Sequence, residues 1–387
     1  MSPPVALATA VAAAVVATGC SSSRSSLPAW ISSAQIAVPG NGVANHDCTS
    51  GICKHNENTD LTLFHGDIYL VHRTAESQML GPNSSLNVYR YAAGAFTLVK
   101  RIPAPSDRDI RDPHFYVVGD ELRIKALARL PSDLIRDSGV DTVALEVAAL
   151  DASTNWSELG PHGWSFWRLK QAPTGEWLTA AYQDGDRSVV LYRSVDGVSF
   201  SAGATIYDDA SQTPLETELT FFPSGRLLAL VRTDGSDAEI TGDAGVRTVV
   251  CWADPPYASI VCPQVLDGVR LDGPLTFFWH DRLFVIARKH LGADGRKRTA
   301  LYELGGTLDG GTLDGGTLDG GGTLTIREWG ELPSAGDTSY AGAAPLPDGR
   351  VLATWYSGDV ASDDTWLLGM YAATDIWQAT LDLGRLK

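Results

Sequence analysis

The feature that most constrains this chain is a pattern recurring six times at a spacing of about fifty residues. A period of that length implies stacked structural units rather than one irregular core. Each copy has a polar or Gly-containing start, an apolar run, a turn, and a second apolar run that ends in a polar residue. The copies start at Asp60, Asp112, Ser165, Glu218, Asp272 and Tyr340, at intervals of 52, 53, 53, 54 and 68 residues. Their turns fall at His65-Gly66-Asp67, Gly119-Asp120, Thr174-Gly175, Ser224-Gly225, His280-Asp281 and Asp348-Gly349. The long interval contains residues 305–322, a Gly-Gly-Thr-Leu-Asp run too rich in glycine to pack, which reads as an inserted flexible loop.

Four short strands fit each interval, and the apolar residues alternate or form short blocks bounded by Gly, Pro and Asp. That pattern disfavours a helical solenoid. A four-stranded sheet cannot cover both of its faces alone, so the chain is expected to be all-β, a six-bladed β-propeller whose blades pack on one another. The strand near Gln35-Ile36-Ala37-Val38 is expected to pair with the C-terminal segment Asp375 to Leu381, which closes the ring and covers two edges. The domain reading is a leader over 1–20, a tether over 21–33 and the propeller over 34–387.

The leader reading rests on a run of small apolar residues from Val5 to Val16 followed by Ala17-Thr18-Gly19-Cys20, which resembles a bacterial lipobox. Cys20 would then be lipidated, and the Ser-rich stretch after it would tether an exported protein to the cell envelope. Membrane attachment is expected through that anchor alone. The other four cysteines form two sequence-local pairs, and an oxidising compartment favours the disulfides Cys48–Cys53 and Cys251–Cys262.

With 30 Lys+Arg against 46 Asp+Glu, the net charge of -16 repels nucleic acid. Repeat position nevertheless brings several cations to one mouth of the central channel. First-strand starts supply Asp60, Arg111, Asp112, Trp164, Glu218, Asp272 and Tyr340. Second-strand ends supply Arg73, Arg129, Tyr182, Gln183, Arg232, Arg288 and Tyr356. Gathered guanidinium groups need carboxylates or an anionic ligand beside them. The arginines therefore either clamp an acidic sugar or pair with Asp60, Asp112, Glu218 and Asp272 to hold the blades together.

Two segments resemble the sialidase superfamily of six-bladed propellers. Ser194-Val195-Asp196-Gly197-Val198-Ser199-Phe200 is similar to the Asp-box turn of that family, one residue short of the usual spacing. In chain order, Glu218 to Arg232 looks like the family's Glu and second arginine, Arg288 like its third, and Asp337-Thr338-Ser339-Tyr340 like its tyrosine segment. The family's Arg-Ile-Pro is replaced in register by Asn58-Thr59-Asp60, while Arg101-Ile102-Pro103 stands at the end of the first repeat. Arg73 or Arg111 would stand in for the missing arginine, and the acid/base falls to Asp60 or Asp112.

The resemblance implies an exo-acting glycoside hydrolase that removes a terminal acidic sugar from glycans. Tyr340 would be its nucleophile, Glu218 the base and Asp60 the acid/base, with Arg73, Arg111, Asp112, Arg232 and Arg288 binding an anionic sugar. A neutral phenol deprotonated by a glutamate avoids the repulsion that a carboxylate nucleophile would meet beside a substrate carboxylate. No cofactor or metal is expected, since His55, His72 and His114 lack a zinc-ligand spacing, and a monomer is expected. Two other readings stand beside this one. Asp60, Asp112 and Glu218 also resemble the three carboxylates of invertase- and arabinanase-like propellers, and a surface propeller can bind glycan or protein without turnover.

Overall fold

The structure, a computed structural model, describes residues 27–387 apart from 42–46, 80, 82, 106–107, 131–139, 147–155, 184–186, 210, 235–246, 267, 293–294 and 307–322. The leader, Cys20 and the glycine-rich run lie outside these residues, except for Gly305 and Gly306 at the end of a strand.

Six antiparallel sheets account for nearly all the described secondary structure. The first blade is β2 (His55–Phe64), β3 (Asp67–Ala75), β4 (Ser85–Ala92) and β5 (Ala95–Pro103). The second is β6 (Asp109–Val118), β7 (Glu121–Arg129), β8 (Asp141–Glu146) and β9 (Ser157–Glu158). In the third, β10 (Ser165–Phe166) and β11 (Lys170–Gln171) both pair with β12 (Trp177–Tyr182), followed by β13 (Ser188–Ser194) and β14 (Ser201–Asp208). The fourth is β15 (Thr213–Phe221), β16 (Leu227–Asp234), β17 (Arg247–Ala253) and β18 (Val261–Leu266). The fifth is β19 (Asp272–Trp279), β20 (Arg282–His290), β21 (Lys297–Gly306) and β22 (Leu324–Leu332). In the sixth, β23 (Thr338–Pro345), β24 (Val351–Ser357) and β25 (Asp375–Leu381) are completed by β1 (Ile31–Val38) from the other end of the chain.

The protein is thus a six-bladed β-propeller. Ring closure follows the expected pairing, with Gln35 opposite Gln378 and Ala34 opposite Ala379. β1 begins at Ile31, inside the segment expected to be tether.

Local chemistry explains the hairpins. His65 and Gly66 join β2 to β3 with φ of 51° and 86°, the left-handed pair that matches strand twist in a two-residue turn. Ala93 and Gly94 repeat this between β4 and β5, with φ of 51° and 87°.

The apolar core is divided among the seams between blades. Among the described residues, six buried clusters each draw mainly on two adjacent sheets. Val71, Leu86 and Val88 of the first blade meet Ile110, Ile124 and Ala126 of the second. Phe284 and Ile286 of the fifth meet Ala353 and Trp355 of the sixth. Each sheet thereby covers both faces, as the repeat argument requires.

Both expected disulfides form, Cys48–Cys53 and Cys251–Cys262. No helix among the described residues is long and apolar enough to cross a membrane. The turn after Ser194 is held by Asp196 Oδ1, which accepts hydrogen bonds from Val198 N (2.8 Å) and Ser199 N (2.7 Å), while Phe200 packs edge-on to Phe166. Ser194 pairs with Trp177 at the end of β12 remote from Tyr182, so this turn sits on the face opposite the channel mouth.

Candidate active site

The inner strands carry one irregularity in common. Pairing slips between Glu57 and Asp60 in β2, Arg111 and His114 in β6, Pro214 and Thr217 in β15, Asp272 and Leu275 in β19, and Ser339 and Gly342 in β23. A bulge re-aims the side chain it carries. Within these slips Asn58, Asp112, Gly273 and Tyr340 adopt φ of 55°, 45°, 52° and 48°. Three of the four are not glycine, so their left-handed backbone is strained and must be held by its surroundings. Glu216 occupies the remaining slip, in β15. Asn58, Asp112, Glu216 and Tyr340 line one cavity of about 330 Å³, together with Glu57, Gln78, Arg111, Arg129, Ser165, Tyr182, Arg232, Asp234, Arg288 and Trp366. Trp366 comes from the single turn of helix α1 (Trp366–Gly369).

Tyr340 is 7% exposed, and its phenol donates to Glu216 Oε1. Glu216 Oε2 accepts from Arg232 Nη1 at 2.7 Å and from the Gly273 amide at 2.9 Å. Arg232 Nη1 also reaches the Tyr340 hydroxyl at 3.4 Å, and the Arg288 guanidinium stands 5.0 Å from the ring centre. Burial, reinforced by the Glu216 carboxylate, holds the phenol well above its ordinary pKa, against the pull of Arg288 and Arg232. The resting state is therefore a neutral phenol hydrogen-bonded to a carboxylate. That is the arrangement in which proton removal and attack by the oxygen can be concerted.

Asp112 is the second chemical group. Burial pushes its carboxyl up to about 6, the Glu216 and Glu57 carboxylates push the same way, and Lys125 and Arg111 oppose them. Asn58 Nδ2 donates to Oδ1, and Lys125 Nζ donates to the Asp112 carbonyl at 3.1 Å. A carboxyl poised near 6 can both give and take a proton close to neutrality.

The arginines are largely occupied by carboxylates. Arg232 is bound by Glu216, by both oxygens of Asp234 (2.9 and 2.7 Å), and by Asp272 at 3.2 Å. Arg111 Nε donates to Asp109 at 2.7 Å and Nη2 donates to the Gln78 carbonyl. Arg288 donates to the Thr338 carbonyl (2.8 Å), Asp337 (3.0 Å) and the Tyr356 hydroxyl (2.8 Å). Among the described residues Arg111 Nη1 makes no hydrogen bond, whereas Arg288 Nη1 stands 4.0 Å from Asp272 Oδ2. The lining holds four arginines, Arg111, Arg129, Arg232 and Arg288, and four carboxylates, Glu57, Asp112, Glu216 and Asp234. Protonation of Asp112 leaves one net positive charge.

Three expected site residues are placed elsewhere. Glu218 does not meet Tyr340; it is fully buried deeper in the channel, where it accepts from Lys170 (2.9 Å) and from the amide and hydroxyl of Thr276 (3.2 and 3.0 Å). Asp60 accepts from the Phe115 amide at 2.8 Å and pairs with Arg168. Arg168 lies between β10 and β11, where the inner strand of the third blade is broken, and also reaches Glu218 (3.5 Å) and the Ala341 carbonyl (2.9 Å). Asp60 and Glu218 thus stitch neighbouring blades together below the cavity, so Asp60, Asp112 and Glu218 do not share one pocket. Arg73 is fully buried between Glu57 and Asp109 and does not itself line the cavity.

Of the other residues expected at the mouth, Asp272 is sealed among Arg232, Arg270 and His290, and Tyr356 among Arg288 and Asp337. Trp164 packs on Tyr192. Asn58, Glu216, Asp234 and Trp366 were not identified as site residues from sequence. Glu216 carried a readable signal, since it shares a strand face with Glu218 and lies two residues nearer the strand start.

No protein-family model matches the sequence. No curated protein matches it either. Among solved structures the chain is similar to a protein of unknown function from Dyadobacter fermentans, with a TM-score of 0.59, 14% identity, and coverage of 91% of this chain and 99% of that one. It is also similar to Trypanosoma rangeli sialidase in complex with sialic acid, with a TM-score of 0.56, 12% identity and coverage of 92% of this chain. The match spans 59% of that enzyme's length. A third similarity is to the phage phi92 endosialidase, with a TM-score of 0.54, 9% identity, and coverage of 89% and 68%.

Proposed function

We propose that the protein is a retaining glycoside hydrolase of sialidase type that releases a terminal sugar bearing one carboxylate. The observation that carries this reading is the hydrogen bond from the buried Tyr340 phenol to Glu216 at the cavity wall. In the proposed first step Glu216 takes the phenolic proton as the tyrosine oxygen attacks the anomeric carbon. The glycosidic bond breaks, and the departing oxygen takes the proton of Asp112. In the second step Asp112 removes a proton from water, which attacks the same carbon, while Tyr340 leaves and recovers its proton from Glu216.

Arg111, through its Nη1, and the neighbouring Arg288 would receive the sugar carboxylate. With Asp112 protonated, the cavity's single net positive charge matches one anionic group. The Trypanosoma rangeli sialidase is a fold relative bound to such a sugar, which supports the substrate class by analogy. We also propose that the protein is exported and anchored through Cys20, a reading supported by the two disulfides.

The test is release of a fluorescent aglycone from sialyl and uronyl glycosides by wild type, Tyr340→Phe and Glu216→Gln. Turnover of a sialoside by wild type and loss of about 100-fold or more in each variant is expected. Equal rates in wild type and Tyr340→Phe would remove the nucleophile. Saturable sialoside binding without turnover would make the protein a glycan-binding propeller. Loss of lipid labelling in Cys20→Ser tests the anchor.

A further inference from the structure

At the cavity wall lies a cluster that takes no part in the proposed bond-making steps, although its Glu57 lines the cavity. His55 Nε2 stands 3.4 Å from Glu57 Oε2 and 3.4 Å from Asp337 Oδ2, and all three atoms lie within 4.8 Å of one another. The three side chains are at most 1% exposed, and none of these three atoms has a hydrogen-bond partner. A spacing of 3.4 Å is beyond the ~2.7–3.2 Å of an N–H···O hydrogen bond. It does match the edge of a tetrahedron around zinc, roughly 3.3–3.5 Å for bonds of ~2.0–2.2 Å.

The opposite atom of each side chain is fixed. His55 Nδ1 donates to the Ala372 carbonyl at 3.1 Å, so in the neutral ring Nε2 carries the lone pair directed into the cluster. Glu57 Oε1 accepts from Arg73. Asp337 Oδ1 accepts from Arg288 (3.0 Å), the Tyr356 hydroxyl (2.9 Å) and the Trp366 indole (3.0 Å). Backing of this kind orients metal ligands and fixes the histidine tautomer. Three buried polar atoms left without partners and facing one another are costly unless a cation joins them.

We propose that His55, Glu57 and Asp337 bind a zinc ion, with water or a cavity ligand as fourth donor. One imidazole and two carboxylates suit zinc better than calcium or magnesium, which take oxygen donors. His55 and Glu57 belong to β2 of the first blade, and Asp337 immediately precedes β23 of the sixth, so the ion ties the two blades where the ring closes. The histidine spacing in the sequence hides this site, because the fold completes it with carboxylates.

The test is elemental analysis of protein purified from zinc-supplemented cells, followed by zinc titration of chelator-stripped protein against a chromophoric competitor. One zinc per chain is expected in wild type and in Tyr340→Phe, so the outcome is independent of the glycosidase reading. His55→Gln and Asp337→Asn, checked for fold by circular dichroism, should weaken zinc by more than ~10-fold. Cobalt-loaded wild type should show the intense visible bands of a four-coordinate site, a readout that needs no variant. Absence of zinc and cobalt from wild type, or unchanged stoichiometry in a folded variant, overturns the proposal. A doubly protonated His55 seen by nitrogen NMR in zinc-supplemented protein would do the same, since the imidazolium would then replace the metal.

Discussion

Gly273 lies flat against the Tyr340 ring: a Cβ on Gly273 would stand 2.9 Å from the ring's Cγ and 3.0 Å from Cδ1 and Cδ2. The same glycine holds φ of 52° and donates its amide to Glu216. It therefore sets both members of the Tyr340–Glu216 pair. Gly273→Ala is expected to displace the ring, strain the backbone, and lower turnover by at least about tenfold, with a stability loss of about 1–3 kcal/mol. Activity of the variant and its thermal midpoint check this; wild-type turnover would show that the ring tolerates displacement.

Glu216 and Glu218 separate chemistry from support. Glu216→Gln keeps an acceptor for Arg232 yet removes the base, so its main expected effect is a fall in kcat with little change in the melting curve. Glu218→Gln, which leaves Arg168 and Lys170 short of a buried counter-charge, should instead lose about 3–5 kcal/mol of stability. Parallel denaturation and kinetics decide between the two. The opposite assignment of losses would restore Glu218 to the site.

The pH profile should report Asp112. A general acid must be protonated to act, so kcat/KM is expected to fall as pH rises through about 6, where burial and the neighbouring Glu216 and Glu57 place this carboxyl. The same raised value makes the folded state lose stability as pH rises through 6, because the unfolded chain holds its carboxylate ionised at no cost. Asp112→Asn should abolish the kinetic limb. Lys125→Met should move it upward, since the opposing cation is gone.

Arg168 is the hub beneath the cavity, reaching Asp60 of the first blade, Glu218 of the fourth and the Ala341 carbonyl of the sixth. Arg168→Leu would strand two buried carboxylates, and a loss of about 3–5 kcal/mol is expected. Urea unfolding measures it. The double variant with Asp60→Asn should recover part of the loss, and strict additivity would deny the coupling.

The architecture was legible because its cause is periodic. Alternating apolar runs, polar turns at a steady offset and two sequence-local pairs of cysteines each repeat or pair in the sequence, and each maps onto a strand, a hairpin or a bridge. The site was only half legible because it depends on bulges. Alternation places Glu216 and Glu218 on one face alike, as it does Asn58 and Asp60, and only the pairing slips decide which side chain tops the channel. Tyr340, Arg111, Arg232, Arg288 and Asp112 reach the cavity lining because each sits near the end of its strand. Arg168 gave no signal, since the third blade breaks its inner strand where the repeat requires continuity.

The pairing of Ile31–Val38 with Asp375–Leu381 bears on how such a chain reaches its final form. Strands that meet across some 340 residues cannot join until all the chain between them has been made. Every earlier blade can form from neighbours in sequence, but the last one waits for both β1 and β25. The circle is thus latched by its first and last strands together. Loss of β25 would unfasten it at that latch, and would leave the inner edge of β1 and the outer edge of β24 without a partner strand.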